Sequence, residues 1–568
     1  MTVSRVVNKT LFYVSLAFLA WLVITFLYYP ITAVLFEAFG ASGTPLSETV
    51  DRLLGSENVR ESVFNTIFMA CLTVVTVNVI GLFQVAILEF FSVRGSGFLK
   101  VAFATPIVFT SVTAITGYVF VYGEFGTLTK FLTLFAPEME TKWFAGWPAV
   151  LIAHSFLMTY YHFLFVRAAI RRVDFATVEA ARSLGASPTY ALIKVVFPVM
   201  APTVLAVSLL VFLQALVSFA APAILGGREF RMLSQMILSL QSIGRSDMAA
   251  LLALVLGFAA LLVFLGMRWI ESRGAYTGGS KTPVPMQKIR IRNPVTNGIV
   301  HVLAYALFVI YLVPVLSTVI FSFAPSASIA TELFPTTFTL DNYIAVLTTE
   351  RTFNPIANSV TMGLITVISV LCICVFSTHL IARNRNFVSN TLEFSLFIPW
   401  VLPGALVAVS LISAFDLPSP LLFGNVLLGT YAILPIAYAI IIIPVTVRLL
   451  TAAMANLDPS LEDAGKSLGA SGLYIFYRIT LPILAPVLVL IGAMKFTDIL
   501  NEYTASAFLY NVNNMPLGVA MVDNFRSSTD PEADGKALVF STIVMTLSFC
   551  VVMVAERLSL GRTEEAPT

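Results

Sequence analysis

The sequence predicts an all-α polytopic membrane protein of about 12 transmembrane helices, arranged as two parallel six-helix repeats, and three observations predict it. Charged residues make up 11% of the 568-residue chain and hydrophobic residues 58%, where an average soluble domain is roughly 25% charged. The apolar residues are gathered into runs of about 20 or more, long enough to cross a hydrocarbon core. A stretch of the first half then recurs, in register, in the second. A mean hydropathy of +0.90 over this length is more than one anchor helix supplies. The net charge of +2 says nothing of partners, because loop charge sets orientation and the total does not.

In chain order the apolar runs of the first half are 11–36, 62–91, 98–121, 146–166, 198–225 and 248–270. The first follows Arg5 and Lys9 like a signal sequence. It exceeds the about 7 to 15 residues of a cleavable core and no small-residue cleavage site follows it, so it is assigned as a span. The second half answers with 300–323, 356–381, 391–414, 425–447, 482–509 and 536–554. Pro106 in the third run, and Pro399 with Pro403 in the ninth, predict kinks there. The segment 274–297 is rich in Gly, Pro, Lys and Arg and has no helical periodicity, which predicts a flexible linker between repeats 1–273 and 298–568.

Alternate loops differ in charge. The connector 268–297 carries Arg268, Arg273, Lys281, Lys288, Arg290 and Arg292 against Glu271 alone, and the loop 167–194 is also basic. Both are expected in the cytoplasm with both termini, in a bacterial inner membrane, while the acidic loops 37–61 and 523–534 face outward. Cys71, Cys372, Cys374 and Cys550 all lie in apolar runs, where a thiol behaves as a small hydrophobe, so no disulfide and no metal site is expected.

A shift of 284 positions aligns 168–202 with 452–486 without a gap. Matches such as Asp174/Asp458, Ser183/Ser467, Leu184/Leu468, Gly185/Gly469, Ser187/Ser471 and Pro198/Pro482 are polar, small or cyclic residues that apolar composition would not place in register. Each copy reads as two short helices around a sharp turn. Asp174 and Asp458 are N-caps, Pro459 suits the first helical position, Gly185 and Gly469 supply a left-handed stop, and Ser187 and Ser471 cap the helix that follows. The small residues Ala180, Ala181, Ala464 and Gly465 are expected to be exposed and to let another protein's surface approach.

These loops, at 171–198 and 455–482, resemble the EAA loop of binding-protein-dependent ABC importer permeases: Glu179, Ala180, Ala181, Gly185 and Pro198 fit the first copy, and Asp463, Ala464, Gly465, Gly469 and Pro482 the second. The second departs from the pattern with Asp for Glu and Gly for Ala. The fused two-half form resembles the permeases of ferric-iron importers, whose relatives also carry 2-aminoethylphosphonate, thiamine, polyamines, sulfate or sugar phosphates. The resemblance implies a type I importer fold in which each loop is a coupling helix seated on a cytoplasmic ATPase. It implies two ATPase copies, a periplasmic or extracellular substrate-binding protein and no nucleic-acid partner. No Gly-x-x-x-x-Gly-Lys-Ser/Thr string occurs, so ATP and Mg are expected on the partner subunits, this chain binding no cofactor and catalysing nothing itself.

Ionisable groups inside a span cost roughly 2.5 to 3.5 kcal/mol at the bilayer centre, so they need a reason. In the eleventh run Lys495, Asp498 and Glu502 fall on one helical face, with Asn501 beside them, and the repeat places Gln214 opposite Asp498 and Ser218 opposite Glu502. These six residues are the candidate translocation path; a Lys495–Asp498 pair that only stabilises packing is the other reading. His154 and His162, with Tyr160 and Tyr161 between, read as an interfacial belt at a helix end, a ligand site being the other reading. Twelve spans in two halves also suit an ion-driven secondary transporter, against which the two loops argue. A membrane enzyme would want clustered catalytic groups, which the sequence lacks.

Overall fold

In the computed structural model the described residues are 2–41, 45–109, 111–227, 229–273, 284–383, 387–526 and 532–560. Apolar runs in a bilayer must satisfy every backbone donor within the segment, which selects helix. Among the described residues there is no strand, only two isolated bridges, Phe91 with Ile289 and Ser419 with Asn425. The chain is an all-α polytopic membrane protein of two parallel repeats.

Among the described residues, ten helices are long and apolar enough to cross a membrane, and twelve spans result if each of two bent pairs counts as one. Spans 1 to 6 are Tyr13–Gly40, Glu57–Phe90, the pair Ser96–Ile107 with Val112–Phe135, Gly146–Ile170, Pro188–Leu216 and Ser246–Ile270. Spans 7 to 12 are Pro294–Ser322, Glu350–Ile381, the pair Phe387–Trp400 with Gly404–Phe415, Ile433–Ala455, Gly472–Leu500 and Ala533–Ser559.

Prolines explain much of the departure from simple runs. Pro30, Pro198 and Pro482 each follow a single wide turn, in which the residue before the proline donates five positions back: Tyr29 to Ile24, Phe197 to Leu192 and Leu481 to Phe476. A proline has no N–H and its ring crowds the carbonyl four residues earlier, and the widened turn lets the helix pass through. Spans 3 and 9, expected as kinked single helices, are instead broken, bent by 117° and 110°. In span 9 Pro399 sits in a 3₁₀ turn and Pro403 is extended, so a chain of intrahelical bonds cannot cross the segment.

Three span ends also differ from expectation. The fifth and eleventh runs stop at Leu216 and Leu500, and separate short helices, Ala220–Leu225 and Thr504–Leu509, follow. Hydropathy does not register such a break, because both sides are equally apolar. The tenth span begins at Ile433 rather than 425, since Gly424 and Gly429 adopt positive φ and turn the chain before it.

The halves interlock. Span 1 packs on span 9 and the short turn Pro420–Leu422 after it: Trp21 Nε1 donates to the Leu421 carbonyl at 3.3 Å, the Tyr28 hydroxyl lies 2.9 Å from Ser395 Oγ, and the Phe26 and Tyr29 rings lie 6.0 and 5.8 Å from Phe415. Span 7 answers from the second half. Its Tyr311 bonds the Thr159 hydroxyl and packs edge-on against Phe103 and Phe156, and its Phe321 meets Phe120 at 4.6 Å. Each half's opening span is thus held by the other half's broken span.

Candidate functional site

The loops joining span 4 to span 5 and span 10 to span 11 have one backbone design. In loop 4–5 the Asp174 side chain accepts from Ala176 N at 3.1 Å and starts the helix Phe175–Ser183. In loop 10–11 Asp458 accepts from Ser460 N at 2.9 Å and starts Pro459–Ser467, with Pro459 in its first turn. Gly185 and Gly469 end these helices at φ of 91° and 80°, values that an L side chain rarely adopts. Ser187 and Ser471 then accept from Tyr190 N and Tyr474 N, opening helices that run through the wide turn into spans 5 and 11. Pro198 and Pro482 are therefore inside a continuous rod and not at a span's first residue.

The surface of each loop helix differs from the expectation in one respect. Glu179, Ala180, Asp463 and Ala464 are exposed, but Ala181 is half-buried and Gly465 is buried. A Cβ on Gly465 would lie 3.0 Å from Ile475 Cγ1. The matching pair in the first copy is Ala181 with Ala191. The larger Ile475 in the second copy thus takes the space that a side chain at 465 would fill, and packing explains the Gly where the first copy has Ala.

The most exposed apolar residues of the loops were not singled out from sequence. Leu184 is 90% exposed and Leu468 is 89% exposed, each immediately before its left-handed glycine. Their signal was present in the repeat, as an identical pair at a helix end where no core needs a leucine.

What surrounds the two loops is different. Residues 284–293, expected as flexible linker, run extended along loop 4–5, while residues 274–283 lie outside the described residues. Val284 N donates to Asp174 Oδ1 at 3.2 Å and its carbonyl accepts from Phe175 N at 3.1 Å. Ile289 exchanges bonds with Phe90 and Ser92 at 2.8 and 3.0 Å and is buried among Ile170, Val173, Phe175 and Val178. Lys288 Nζ donates to Ser96 Oγ at 3.1 Å. Alternating burial at 289 and paired backbone groups make this segment a strap, which glycine and proline counts do not reveal. Glu89, at the end of span 2, also clamps Arg167 and Arg171 at the base of the loop.

Loop 10–11 has no such strap among the described residues. The region matching Ile170, Val173 and Val178 holds Met454, Leu457 and Glu462 around an open groove of about 220 Å³, which Asp463 and Lys466 also line. Lys466 pairs with Asp463 at 3.1 Å and Glu462 at 3.7 Å. The Ser460 backbone and hydroxyl hold the Asp458 carboxyl below its ordinary value.

In span 11 Lys495 is buried and donates to Asp498 Oδ2 at 2.6 Å, while the Asp498 side chain is 47% exposed and within electrostatic reach of Tyr160 and Tyr161 of the first half. Asn501 bridges the halves, accepting from Thr113 Oγ1 at 2.7 Å and donating to the Thr497 carbonyl. Glu502 turns onto its own chain: Oε1 accepts from Ala505 N at 2.8 Å, and Oε2 from Ser506 N and Oγ at 3.0 and 2.7 Å. It anchors the N-terminus of Thr504–Leu509. Gln214 and Ser218 sit half-buried at matching depth in the first half. Ser218 Oγ lies 2.9 Å from His154 Nε2, whose Nδ1 lies 3.3 Å from Thr73 Oγ1, and His162 Nε2 lies 3.1 Å from Asn78 Oδ1. Both histidines are buried and not in an interfacial belt: Thr73, Asn78 and Ser218 partner three of their four ring nitrogens, and His162 Nδ1 has no partner among the described residues.

Similarity to known proteins defines the class. A family model described as the binding-protein-dependent transport system inner membrane component matches residues 94–276 and again 375–560. The chain is 47% identical over 567 residues, all of both chains, to "Probable ABC transporter permease protein y4fN" of Sinorhizobium fredii. It is 24% identical over 544 residues, 94% of this chain and 76% of the relative, to ferric transport system permease protein FbpB of Actinobacillus pleuropneumoniae. It is also 24% identical over 251 residues, 43% of this chain and 88% of the relative, to trehalose transport system permease protein SugB of Mycobacterium tuberculosis. The chain belongs to the binding-protein-dependent transport system inner membrane component family, with two permease halves fused in one polypeptide. It is a multi-pass inner-membrane subunit of an ABC importer, a transport subunit and not an enzyme, of a class that works with an ATPase and a substrate-binding protein.

Proposed function

We propose that this chain imports ferric iron delivered by an outside binding protein, and that loops 4–5 and 10–11 are coupling helices docking two copies of a cytoplasmic ATPase that holds ATP and Mg. Repeats 1–273 and 298–568 form the two sides of the path, joined by the linker 274–297, and both termini lie in the cytoplasm. The observation that carries the docking reading is the repeated surface of the loops: a capped helix, a glycine at positive φ and a leucine about nine-tenths exposed, at matched positions in both halves. An apolar side chain held out at a helix end gains roughly 1.5 to 3 kcal/mol when a partner covers it, so two of them favour a docked state.

The cargo reading rests on two supports. The ferric relative matches across both halves, whereas the trehalose relative matches over less than half of the chain. The carboxylate at Asp498 is a hard oxygen donor, suited to a hard cation. On this reading Asp498 and Gln214 meet the cargo. Lys495 holds Asp498, while Asn501, Glu502 and Ser218 keep the path's wall in place.

The test is reconstitution in vesicles with the ATPase and an iron-loaded binding protein. The chain alone should hydrolyse no ATP, and native mass should give one chain with two ATPase copies. Leu184→Asp with Leu468→Asp should abolish binding without unfolding the chain, and Asp498→Asn should lower iron uptake while ATPase binding stays normal. ATP-independent uptake driven by an ion gradient would defeat the docking reading. ATP-driven uptake of another solute, with none of iron, would replace the cargo.

A further inference from the structure

The strap does more than join the halves. Beside loop 4–5 it forms one wall of a groove of about 600 Å³ whose charged lining is Glu179 and Arg182 from the loop helix and Lys288, Arg290 and Arg292 from the strap. Arg290 and Arg292 are exposed, and neither enters an ion pair among the described residues. One acid stands against four bases. The matching groove beside loop 10–11 is lined by Asp458, Glu462 and Asp463 with Lys466, three acids against one base, and has no strap among the described residues. The residues shared by both grooves, Glu179 with Asp463 and Arg182 with Lys466, are conservative pairs, so the reversal of sign comes from the strap, from Glu462 where the first copy has Val178, and from Asp458, whose counterpart Asp174 does not line the first groove.

We propose that the strap is part of the first docking surface, so that Arg290 and Arg292 contact an acidic patch on the ATPase copy seated on loop 4–5 and the copy on loop 10–11 has no such contact. This rests on the docking reading above. Any protein covering Glu179, Arg182 and Leu184 also covers the groove, because Glu179 and Arg182 line it and Leu184 ends the same helix. The strap is held for this by its backbone bonds to Asp174, Phe175, Phe90 and Ser92, which fix where Arg290 and Arg292 stand. The two ATPase sites are then unequal, the first favoured by charge attraction and the second by its leucine and caps alone.

The experiment uses the full chain in nanodiscs of phosphatidylcholine without anionic lipid, titrated with the ATPase subunit re-isolated from the wild-type complex. Arg290→Gln with Arg292→Gln keeps the strap's backbone and should weaken binding by roughly three- to tenfold, less so at high salt. Arg290→Lys with Arg292→Lys should restore most of it. In native mass the wild type should pass through a one-to-one complex before the second ATPase binds, and in the Gln pair that step should merge with the second. Unchanged affinity in the Gln pair, with binding still lost in the Leu184→Asp, Leu468→Asp variant, would overturn the strap contact and leave the docking reading intact. Normal binding by the leucine variant would remove both. If the Gln pair differs from wild type only after phosphatidylglycerol is added, a lipid headgroup fills the groove and the proposal fails.

Discussion

Loop 4–5 and loop 10–11 share a backbone almost residue for residue, yet they are held in different ways. The first is tied from outside by the strap at Asp174 and Phe175 and by Glu89 clamping Arg167 and Arg171. The second is held by its own chain, through the Asp458 cap, the Lys466 pairs and Ile475 lying over Gly465. Closely matching local geometry with unlike support singles out the turn as the element the two loops share, so it is the turn that any common role of the loops would use.

The strongest way to break that statement is to remove the turn from both copies. A β-branched residue in left-handed geometry costs on the order of 1 to 2 kcal/mol or more, about a tenfold shift or greater in the fraction of loops correctly posed. Gly185→Val with Gly469→Val should therefore express and insert normally but lose ATPase stimulation and uptake together. Of the single variants Gly469→Val should be the worse, because among the described residues no strap with backbone hydrogen bonds holds the helix Pro459–Ser467 as one holds Phe175–Ser183. Normal uptake by the double variant would show that neither loop couples hydrolysis to transport.

A smaller effect sharpens the role of packing. Gly465→Ala puts a methyl about 3.0 Å from Ile475 and should lower loop protection in hydrogen exchange, since overpacking costs roughly 1 to 3 kcal/mol. With Ile475→Ala the second copy acquires the Ala–Ala pair of the first. There the same Gly465→Ala change should become stabilising, by up to about 1 kcal/mol, because Ala is the better helix former. A Gly465→Ala effect of the same sign in both backgrounds would mean that Ile475 does not explain the glycine, and the loops would differ for a reason other than packing.

How much of this was legible in the sequence follows range of interaction. The caps at Asp174, Asp458, Ser187 and Ser471 and the glycine stops act within about ten residues, so a single strand of text contains the whole cause. The spans were legible from apolar runs, but not the breaks in spans 3 and 9, because hydropathy records burial in lipid and not the continuity of backbone bonds. Gly465 depends on Ile475 lying over it, Leu184 and Leu468 on having no core nearby, and the strap on Phe90, Ser92 and Asp174 being brought to it by the fold. Glu502 illustrates the same limit inside the membrane. Its position on a polar face was legible, but its bonds to Ala505 and Ser506 exist only because the helix ends at Leu500.

The smallest expected effect separates the two caps. The Ser460 backbone and hydroxyl lower the Asp458 carboxyl below its ordinary value of 3.8, which is the value it keeps when the loop unfolds. A carboxyl lowered in the folded state adds stability that is whole above that ordinary value and is lost as the pH falls through the lowered one. Local protection of Pro459–Ser467 should thus be flat through the neutral range and fall only in acid below the ordinary carboxylate value. Asp458→Asn keeps an acceptor for Ser460 N but has nothing to titrate, so its acid slope should vanish while its neutral-pH protection stays close to wild type. In loop 4–5 the Phe175 N–H still donates to the Val284 carbonyl of the strap when the cap is removed, so Asp174→Ala should lower the protection of Phe175–Ser183 less than Asp458→Ala lowers that of Pro459–Ser467. Hydrogen exchange followed by mass spectrometry across the acid range reads both helices in one experiment. An equal or larger loss in loop 4–5 would show that the strap does not share the work of the first cap, and the contrast between a tied loop and a self-supporting one would not hold.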